Sequence, residues 1–559
     1  MKKIKFLFVF VIILLIANNG FSQISVSPNH YSVYFTDKND SPFSIEKPEE
    51  FLSQKSIDRR KKYGININTR DLPVNPSYIK ELTDLGFIIV NTSKWLNCAV
   101  VYAEDETLLD KLKELPFVKL DTEIQQERKK NKNKKVKGAK VNTDNEEDLE
   151  YAFEYGEGTN QITMLKGDRL HSKGFKGEGM TIAVMDAGFY KVNKLPSFDS
   201  LWANNQILGW YDFVDNDTSL FKSDTHGMMV LSCIGANIPG KFVGTAPKAN
   251  FWLLRTENGA SEYLIEEYNW VFGAEFADSV GADIVHSSLG YSDFDDDAQD
   301  HKYSDMDGNT TVCTRGADFA AQTGMLVTTS AGNEGNDPWK YISAPADADS
   351  VLSVGSVTYR GTYSYFSSQG PTFDGRVKPD VCAQGTASTV QGTGGRITTA
   401  SGTSFSGPIM AGMVACLWQA HPDKTNMEII QALQKCSTQS SKPDEKLGYG
   451  VPDFDMAHLY LDGIGFNELN NNNRMRIVPN PFNDEFYIGF YSKKEYLPVN
   501  YVVTIYDMLG KVISSKNYDN RNDEYNIFAV PELNSLENGI YLVQVQANNE
   551  FFTQQVVKQ

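Results

Sequence analysis

The stretch TIAVMDAG, residues 181–188, is an apolar run that ends in Asp186 and continues into a glycine turn. The same layout returns in ADIVHSSLG, residues 282–290, and in MLVTTSAGN, residues 325–333. Short apolar runs bounded by glycine and aspartate are typical of parallel strands that are buried on both faces. These stretches therefore predict a parallel sheet in the middle of the chain.

Helix-like segments lie between the predicted strands, for example HGMMVLSCIGAN at 226–237 and EEYNWVFGAEFADSVG at 266–281. Alternation of strands and helices predicts an α/β fold with a doubly wound parallel sheet, which we place in residues 151–462. In such folds, ligands bind beyond the carboxyl ends of the strands, at the point where the strand order reverses. Polar residues at strand ends are therefore the first candidates for a functional site.

The flanking segments have a different texture and predict separate domains. Residues 23–150 read as a small α+β domain followed by a charged linker, with eight Lys or Arg between Arg128 and Lys140. A stretch this polar has too little apolar surface to fold, and an exposed linker is a site of proteolysis. Residues 463–475 read as a second polar linker, and residues 476–559 as a small all-β, sandwich-like domain.

Charge, cysteine content and the N-terminus restrict the possible functions. The net charge of −18 argues against nucleic-acid binding, which requires a basic face. Residues 1–22 combine lysines, an eleven-residue apolar run and a small-residue end, as in a secretory signal peptide; a membrane anchor is the alternative. The six cysteines contain no CxxC pair, so we expect no zinc site, and we favour buried thiols over disulfides.

Four polar residues stand where a doubly wound fold exposes side chains: Asp186, His226, Asn333 and Ser404. Taken alone, each has a simpler interpretation as a turn residue, a structural imidazole or a helix cap. Together they follow the chain order Asp, His, Ser, which is one of the known orders of a hydrolytic triad. Ser404 lies in SGTSFSGP rather than in the G-x-S-x-G elbow, and the elbow's order Ser, Asp, His is absent, which disfavours an α/β-hydrolase.

Seven blocks in the right order make residues 155–461 resemble the subtilisin family of serine endopeptidases. They are TIAVMDAG, DTHGMMV, VGTAPKA, SSLG, TSAGNEG, FSSQGP with RVKPDV, and SGTSFSGP. The resemblance implies Ser404 as nucleophile, His226 as general base, Asp186 as the residue that orients it, and Asn333 as oxyanion donor. The chain departs from the family pattern after these residues, at Ala187, Met228, Phe405, Ser406 and Gln384.

Elementary chemistry agrees with these implied roles. A serine hydroxyl needs a base within hydrogen-bonding reach, and an imidazole can take its proton and later return it to the leaving amine. A carboxamide and a backbone N–H at a helix start can stabilise the oxyanion. We expect the substrate to bind along two strand ends; the candidates are Ser288, Leu289, Gly290, Ala331 and Gly332.

Two other polar features have less to do with the predicted chemistry. His286 lies inside an apolar run and is interpreted as a packed strand residue. The segment SDMDGNT, residues 304–310, resembles half of a calcium loop but lacks its final bidentate glutamate, so we interpret it as a solvated acidic loop. We expect no required cofactor, and calcium binding stays open.

The ends of the chain resemble partners of the same family. Residues 23–125 resemble an inhibitory propeptide, and the blocks VPNPFND, VTIYDMLGKVI and LENGIYLVQV resemble the C-terminal sorting domain of type IX secretion. The partners implied are peptide or protein substrates, the chain's own propeptide and the secretion machinery. The protein would then be secreted from a Gram-negative cell or held on its surface. A catalytically inactive binding module and a glycan-binding adhesin are the alternatives from other classes.

Overall fold

The computed structural model describes residues 24–119 and 155–462, and residues 469–559 with short gaps. The predicted signal peptide, the charged linker at 126–150 and most of the linker at 463–475 lie outside the described residues. Within these described ranges, none of the helices combines the length and the hydrophobicity that a bilayer crossing requires.

The N-terminal domain is α+β, as predicted. An antiparallel sheet in the order β1-β2-β4-β3 packs against short helices. Its elements in chain order are β1 Ile24–Ser27, β2 His30–Tyr34, α1 Gln54–Lys62, α2 Pro76–Asp84, β3 Ile88–Ser93, β4 Cys98–Tyr102 and α3 Leu108–Lys111. Both longer helices begin at a capping side chain, since Ser53 accepts from Ser56 N and Asn75 accepts from Ser77 N.

The central domain contains a seven-stranded sheet in the order β13-β12-β11-β10-β5-β9-β6, and every described pairing in it is parallel. The seven strands of this sheet are β5 Thr181–Asp186, β6 Ile207–Asp212, β9 Asn250–Arg255, β10 Ile284–Ser287, β11 Leu326–Ser330, β12 Leu352–Val357 and β13 Val381–Gln384. Four more strands form two separate pairs: β7 Asn237–Ile238 with β8 Phe242–Val243, and β14 Ser388–Gln391 with β15 Ile397–Ala400. The helices are α4 Thr159–Thr163, α5 Gly167–Ser172, α6 Asp199–Ala203, α7 His226–Gly235, α8 Ile265–Val280, α9 Val312–Gln322, α10 Thr403–Ala420, α11 Asn426–Lys435 and α12 Phe454–Leu461.

Helices cover both faces of this sheet, which confirms the doubly wound prediction. Ile182 and Val184 of β5 point into the core shared with α7 and α10, whereas Ala183 and Met185 point into the core shared with α8 and α9. This period of two explains why β5 reads as a continuous apolar run, since both faces are buried. Helix α10 is apolar on nearly all sides and is buried from Thr403 to Trp418.

The strand order reverses beside β5. The chain extends the sheet from β5 through β9 on one side and through β10 on the other. The carboxyl ends of β5 and β10, at Asp186 and Ser287, therefore flank the topological switch point. This is the position where doubly wound sheets bind their ligands.

The C-terminal domain consists of antiparallel strands in two sheets, β16-β17-β20 and β19-β18-β21-β22. Its strands are β16 Met475–Val478, β17 Phe486–Tyr491, β18 Val499–Asp507, β19 Val512–Arg521, β20 Tyr525–Val530, β21 Gly539–Ala547 and β22 Glu550–Lys558. One apolar core takes residues from both sheets, including Ile488 and Val543, which agrees with the predicted sandwich-like architecture.

The N-terminal domain binds the end of α8 through buried charges. The Asp278 carboxylate accepts from Arg59 Nη2 at 2.6 Å, Arg60 Nη1 at 2.8 Å and Lys94 Nζ at 3.2 Å. Burial raises the pKa of Asp278, but the three cations outweigh burial and hold that pKa well below its ordinary value. Removing one partner of such a network leaves an uncompensated buried charge, so the contact joins the two domains as a unit.

The cysteines are free and buried, as the sequence predicts. All six lie among the described residues, and none forms a disulfide. Burial raises the pKa of each thiol, to about 12 for Cys436.

Candidate active site

Asp186 and His226 meet at the carboxyl edge of the sheet. Asp186 ends β5 and is fully buried, and its Oδ1 accepts from His226 Nδ1 at 2.8 Å and from Ala187 N at 2.8 Å. Because Nδ1 carries the donated proton, Nε2 of His226 is left as the acceptor. The other oxygen, Oδ2 of Asp186, has no hydrogen-bond partner among the described residues.

The start of α7 fixes the imidazole in place. Asp224 Oδ1 accepts from the backbone N of His226, the first residue of the helix, at 2.7 Å. A side chain at Gly227 would lie 2.5 Å from Gly188 O and 2.8 Å from Asp186 Cβ, so only glycine permits this approach. Burial lowers the pKa of His226, but Asp186, Asp224 and Glu257 outweigh burial and raise that pKa above 6.5.

Ser404 lies in the first turn of α10, and the residues before and after it approach other candidate residues. Its neighbour Thr403 donates to Asn333 Oδ1 from N at 2.8 Å and from Oγ1 at 3.1 Å. The ring of Phe405, on its other side, lies 6.1 Å from the ring of His226. The two neighbours of Ser404 therefore approach Asn333 and His226, and the Ser404 N–H is among those that have no acceptor inside the helix.

Asn333 is exposed, and its carboxamide has a defined orientation. Since Oδ1 accepts twice from Thr403, the Nδ2 amino group is the end that can donate to a ligand. It follows Gly332, whose φ of +108 lies in the region that favours glycine and turns the chain after β11. Thr403 is thus a positioning residue that the sequence analysis did not single out.

Ser288, predicted to bind substrate, uses its side chain inside the protein. Pro408 lacks the N–H that would reach the Ser404 carbonyl within α10, and Ser288 Oγ donates to that carbonyl at 3.0 Å. His286 Nε2 lies 2.9 Å from Ser288 Oγ, and His286 Nδ1 lies 2.9 Å from Thr328 Oγ1. Burial lowers the pKa of His286 to about 3, so the interpretation as a packed strand residue is confirmed.

The other predicted substrate-binding residues lie on the same edge. Leu289 and Ala331 are buried, Gly332 is half-buried and Gly290 is exposed. They follow β10 and β11, whose ends are adjacent in the sheet. Their contact with substrate stays a prediction.

The acidic loop uses its carboxylate internally. Asp307 Oδ1 accepts from Asn309 N at 2.8 Å and from Thr310 N at 2.9 Å, and Oδ2 accepts from Thr310 Oγ1 at 2.9 Å. These bonds hold the turn, and calcium binding stays a prediction.

A second acidic feature, which the sequence analysis missed, lies close to the candidate triad. Glu257, Glu262 and Glu266 each bring an oxygen within 4.8 Å of the others. We call these three residues the glutamate cluster. The signal in the sequence was the acidic stretch RTENGASEYLIEEY directly after a buried strand, at the edge where the site was expected.

Comparison with known families assigns most of the chain. Residues 177–450 match the subtilase family, residues 30–141 match the peptidase S8 propeptide domain of Bacteroidota, and residues 476–559 match a secretion system C-terminal sorting domain.

Individual relatives resemble the central part of the chain. Subtilisin E of Bacillus subtilis is 28% identical over 281 residues, which are 50% of this chain and 65% of that protein. Serine protease AprX of the same organism is 29% identical over 305 residues, 49% of this chain and 64% of that protein. The thermostable alkaline protease of Halalkalibacterium halodurans is 24% identical over 372 residues, 66% of this chain and 91% of that protein. A crystal structure of MycP1 without its N-terminal propeptide is 24% identical, covers 55% of this chain and 99% of MycP1, and has a TM-score of 0.43.

Proposed function

Because residues 177–450 form a domain of the subtilase family, between a peptidase S8 propeptide domain and a secretion sorting domain, we propose that this protein is a secreted serine endopeptidase. The observation that carries the proposal is the 2.8 Å bond from His226 Nδ1 to Asp186 Oδ1 at the switch point of the sheet, beside the start of α10. It leaves the other imidazole nitrogen free to act as a base near the start of α10, in which Ser404 is the second residue.

In the proposed reaction, His226 Nε2 takes the hydroxyl proton of Ser404 as Oγ attacks the scissile carbonyl carbon. Asp186 stabilises the imidazolium that forms and holds the ring in its orientation. Asn333 Nδ2 and the N–H of Ser404 donate to the oxyanion. The imidazolium then protonates the leaving amine, and water hydrolyses the acyl group on Ser404 by the same steps.

The substrates we propose are peptides and proteins, with the chain's own propeptide as inhibitor. The support for the inhibitor is the contact between the N-terminal domain and the end of α8 around Asp278. The support for export is the sorting domain at residues 476–559, which we propose is read by a type IX secretion machinery that delivers the protein outside the cell or to its surface.

Labelling of the purified, matured protein with a fluorophosphonate probe tests the proposed enzyme class. We expect covalent attachment to Ser404, identified by mass spectrometry, together with cleavage of denatured protein. An inactive binding module or an adhesin would show neither labelling nor cleavage. Absence of labelling at Ser404, or absence of cleavage, would reject the proposal.

The pH dependence of catalysis should reflect the raised pKa of His226. Since the base must be neutral, kcat/KM rises with pH through this pKa, and we expect the midpoint of the acid limb above pH 6.5. In Asp224→Asn the side-chain oxygen that accepts from His226 N is kept but a nearby negative charge is removed, so the midpoint should move to lower pH. A midpoint at or below 6.5 in the wild type, measured from initial rates on a peptide substrate, would contradict the assignment.

Deletion of residues 476–559 should leave an active protease inside the periplasm. The described contacts between this domain and the catalytic domain include a small apolar cluster in which Leu459 of α12 packs with Leu469 and Tyr487. Lys173 Nζ also lies 5.8 Å from the centre of the Tyr487 ring. Because the candidate triad lies entirely upstream, we expect hydrolysis to survive and export to fail. Fractionation with an activity assay separates the outcomes: export in full amount would exclude the sorting role, and retained but inactive protein would make the domain structural.

A further inference from the structure

The glutamate cluster lies beside the candidate triad, on the same edge of the sheet. Glu257 follows the end of β9, Glu262 lies in the next loop, and Glu266 lies in the first turn of α8. The loop is held against the triad because Thr256 N donates to Asp186 O at 3.1 Å. His226 is close enough for the charge of Glu257 to act on it.

Glu266 is the deepest member, and it is only partly satisfied. Glu266 is 1% exposed, and its Oε1 accepts from Asn258 N at 3.3 Å. Its second oxygen, Oε2, is buried and has no hydrogen-bond partner among the described residues. Buried polar atoms are almost always partnered, so an orphaned carboxylate oxygen next to two more carboxylates indicates a missing cationic partner.

The charges within the cluster lead to the same conclusion. Burial, followed by mutual repulsion, raises the pKa of Glu262 to about 9 and that of Glu266 to about 11. Burial raises the pKa of Glu257 to about 7, although Tyr291 Oη donates to its Oε2 at 3.0 Å. Three carboxylates this close cannot all ionise by themselves, whereas a cation among them would permit all three to be charged.

The surroundings favour a cation carried by a peptide over a metal ion. Ca²⁺ takes six to eight oxygen ligands, whereas two groups that contact the cluster, Tyr291 Oη and Asn258 N, donate hydrogen bonds to it. Tyr291 directly follows Gly290, the last residue of one predicted substrate-binding segment. A peptide bound there would lie beside the cluster, because Tyr291 Oη donates to Glu257.

The chain itself contains a substrate of the matching charge. Eight Lys or Arg lie between Arg128 and Lys140, in the segment that joins the N-terminal domain to the catalytic domain. Maturation by the proposed activity would cut near this segment, and its basic side chains complement the cluster.

We propose that the glutamate cluster is a specificity site that binds a lysine or arginine side chain of the peptide substrate near the scissile bond. This inference rests on the proposed endopeptidase function and adds a substrate class to it. Glu262 and Glu257 form the half-buried mouth of the site, and Glu266 forms its base. The ammonium or guanidinium group donates to the carboxylates, including Glu266 Oε2.

The test compares the cleavage of two matched peptide libraries. One library has lysine or arginine at a fixed position, and the control library has glutamine at the same position. Rates are normalised to active sites counted with a fluorophosphonate, so partly folded material does not enter the comparison. We expect the wild type to prefer basic peptides at least tenfold in kcat/KM at one position. Glu262→Gln and Glu266→Gln should each reduce that ratio severalfold, and Glu262→Lys should invert it.

Asp297→Asn removes one exposed negative charge from the neighbouring segment DFDDD, residues 293–297, and serves as the matched control. Its ratio of kcat/KM for basic peptides to kcat/KM for glutamine peptides should equal that of the wild type. A fall as large as in the cluster variants would mean that any nearby negative charge has the same effect, and it would overturn the proposal. A wild type that cleaves peptides without basic preference would also overturn it while leaving the proposed function intact. No cleavage of any peptide would instead reject the function. If the variants lose bound Ca²⁺, measured with Ca²⁺ alone, and keep the peptide preference, the cluster is a metal site and the proposal is wrong.

Discussion

Replacement of Ser404 by alanine is expected to abolish peptide hydrolysis and to leave the N-terminal domain covalently attached. Loss of the nucleophile in a Ser-His-Asp triad lowers kcat by roughly a millionfold, because the remaining base has no hydroxyl to activate. The length of the purified chain and its hydrolysis of a peptide substrate are the two measurements. Both should change together if the protein matures by its own activity.

Ser406, two residues further along α10, provides the matched control. It is fully buried, and its Oγ donates to Thr403 O at 3.1 Å inside the helix. We expect Ser406→Ala to mature and to hydrolyse peptide. Normal turnover by Ser404→Ala would exclude Ser404 as the nucleophile.

Replacement of Asn333 by alanine should lower kcat by roughly a hundred- to a thousandfold and change KM little. The reason is that Nδ2 donates mainly when the oxyanion forms, so ground-state binding is nearly unaffected. Steady-state kinetics on matured enzyme separate the two constants. A large rise in KM with kcat unchanged would instead assign Asn333 to substrate binding.

The structure adds a second variant to this test, because Asn333 Oδ1 also holds Thr403. Asn333→Asp keeps that acceptor and removes the donor, so it separates the two roles of the side chain. If the donor matters, Asn333→Asp should lose at least as much kcat as the alanine variant, since a carboxylate also repels the oxyanion. If Asn333→Asp were fully active, the effect of the alanine variant would come from the start of α10.

Sequence reasoning reached the parts of the site that are encoded locally. Asp186 ends a strand that is apolar from Ile182 to Met185, so both the parallel sheet and a carboxylate at its carboxyl edge follow from one short stretch. The starts of α7 and α10 were visible because His226 and Ser404 precede buried apolar helices. The paired sheets of the C-terminal domain followed from alternation along the strands.

Contacts between distant segments were beyond the sequence pattern. The role of Ser288 depends on Pro408, which removes a helical N–H more than a hundred residues away. The buried network of Asp278 depends on charges in another domain, and arginines or lysines in a surface-like pattern gave no sign of burial. The glutamate cluster forms because a loop folds back onto α8, and the hydrophobic pattern of the sequence does not predict such a contact.

The six buried thiols make the chain a chemical reporter of its own maturation. Cys98 of β4 lies in a cluster that joins the N-terminal domain to α8 and that also contains Trp95 and Trp270. The remaining cysteines lie within the catalytic domain: Cys233, Cys313, Cys382, Cys416 and Cys436.

Departure of the N-terminal domain would therefore bring Cys98 into solvent, whereas the other sulfurs become accessible only when the catalytic core opens. An alkylating reagent such as iodoacetamide, added during maturation and read by mass spectrometry, would record these two events on different peptides of the same molecule. The timing of activation could then be followed in the natural sequence, without any engineered label.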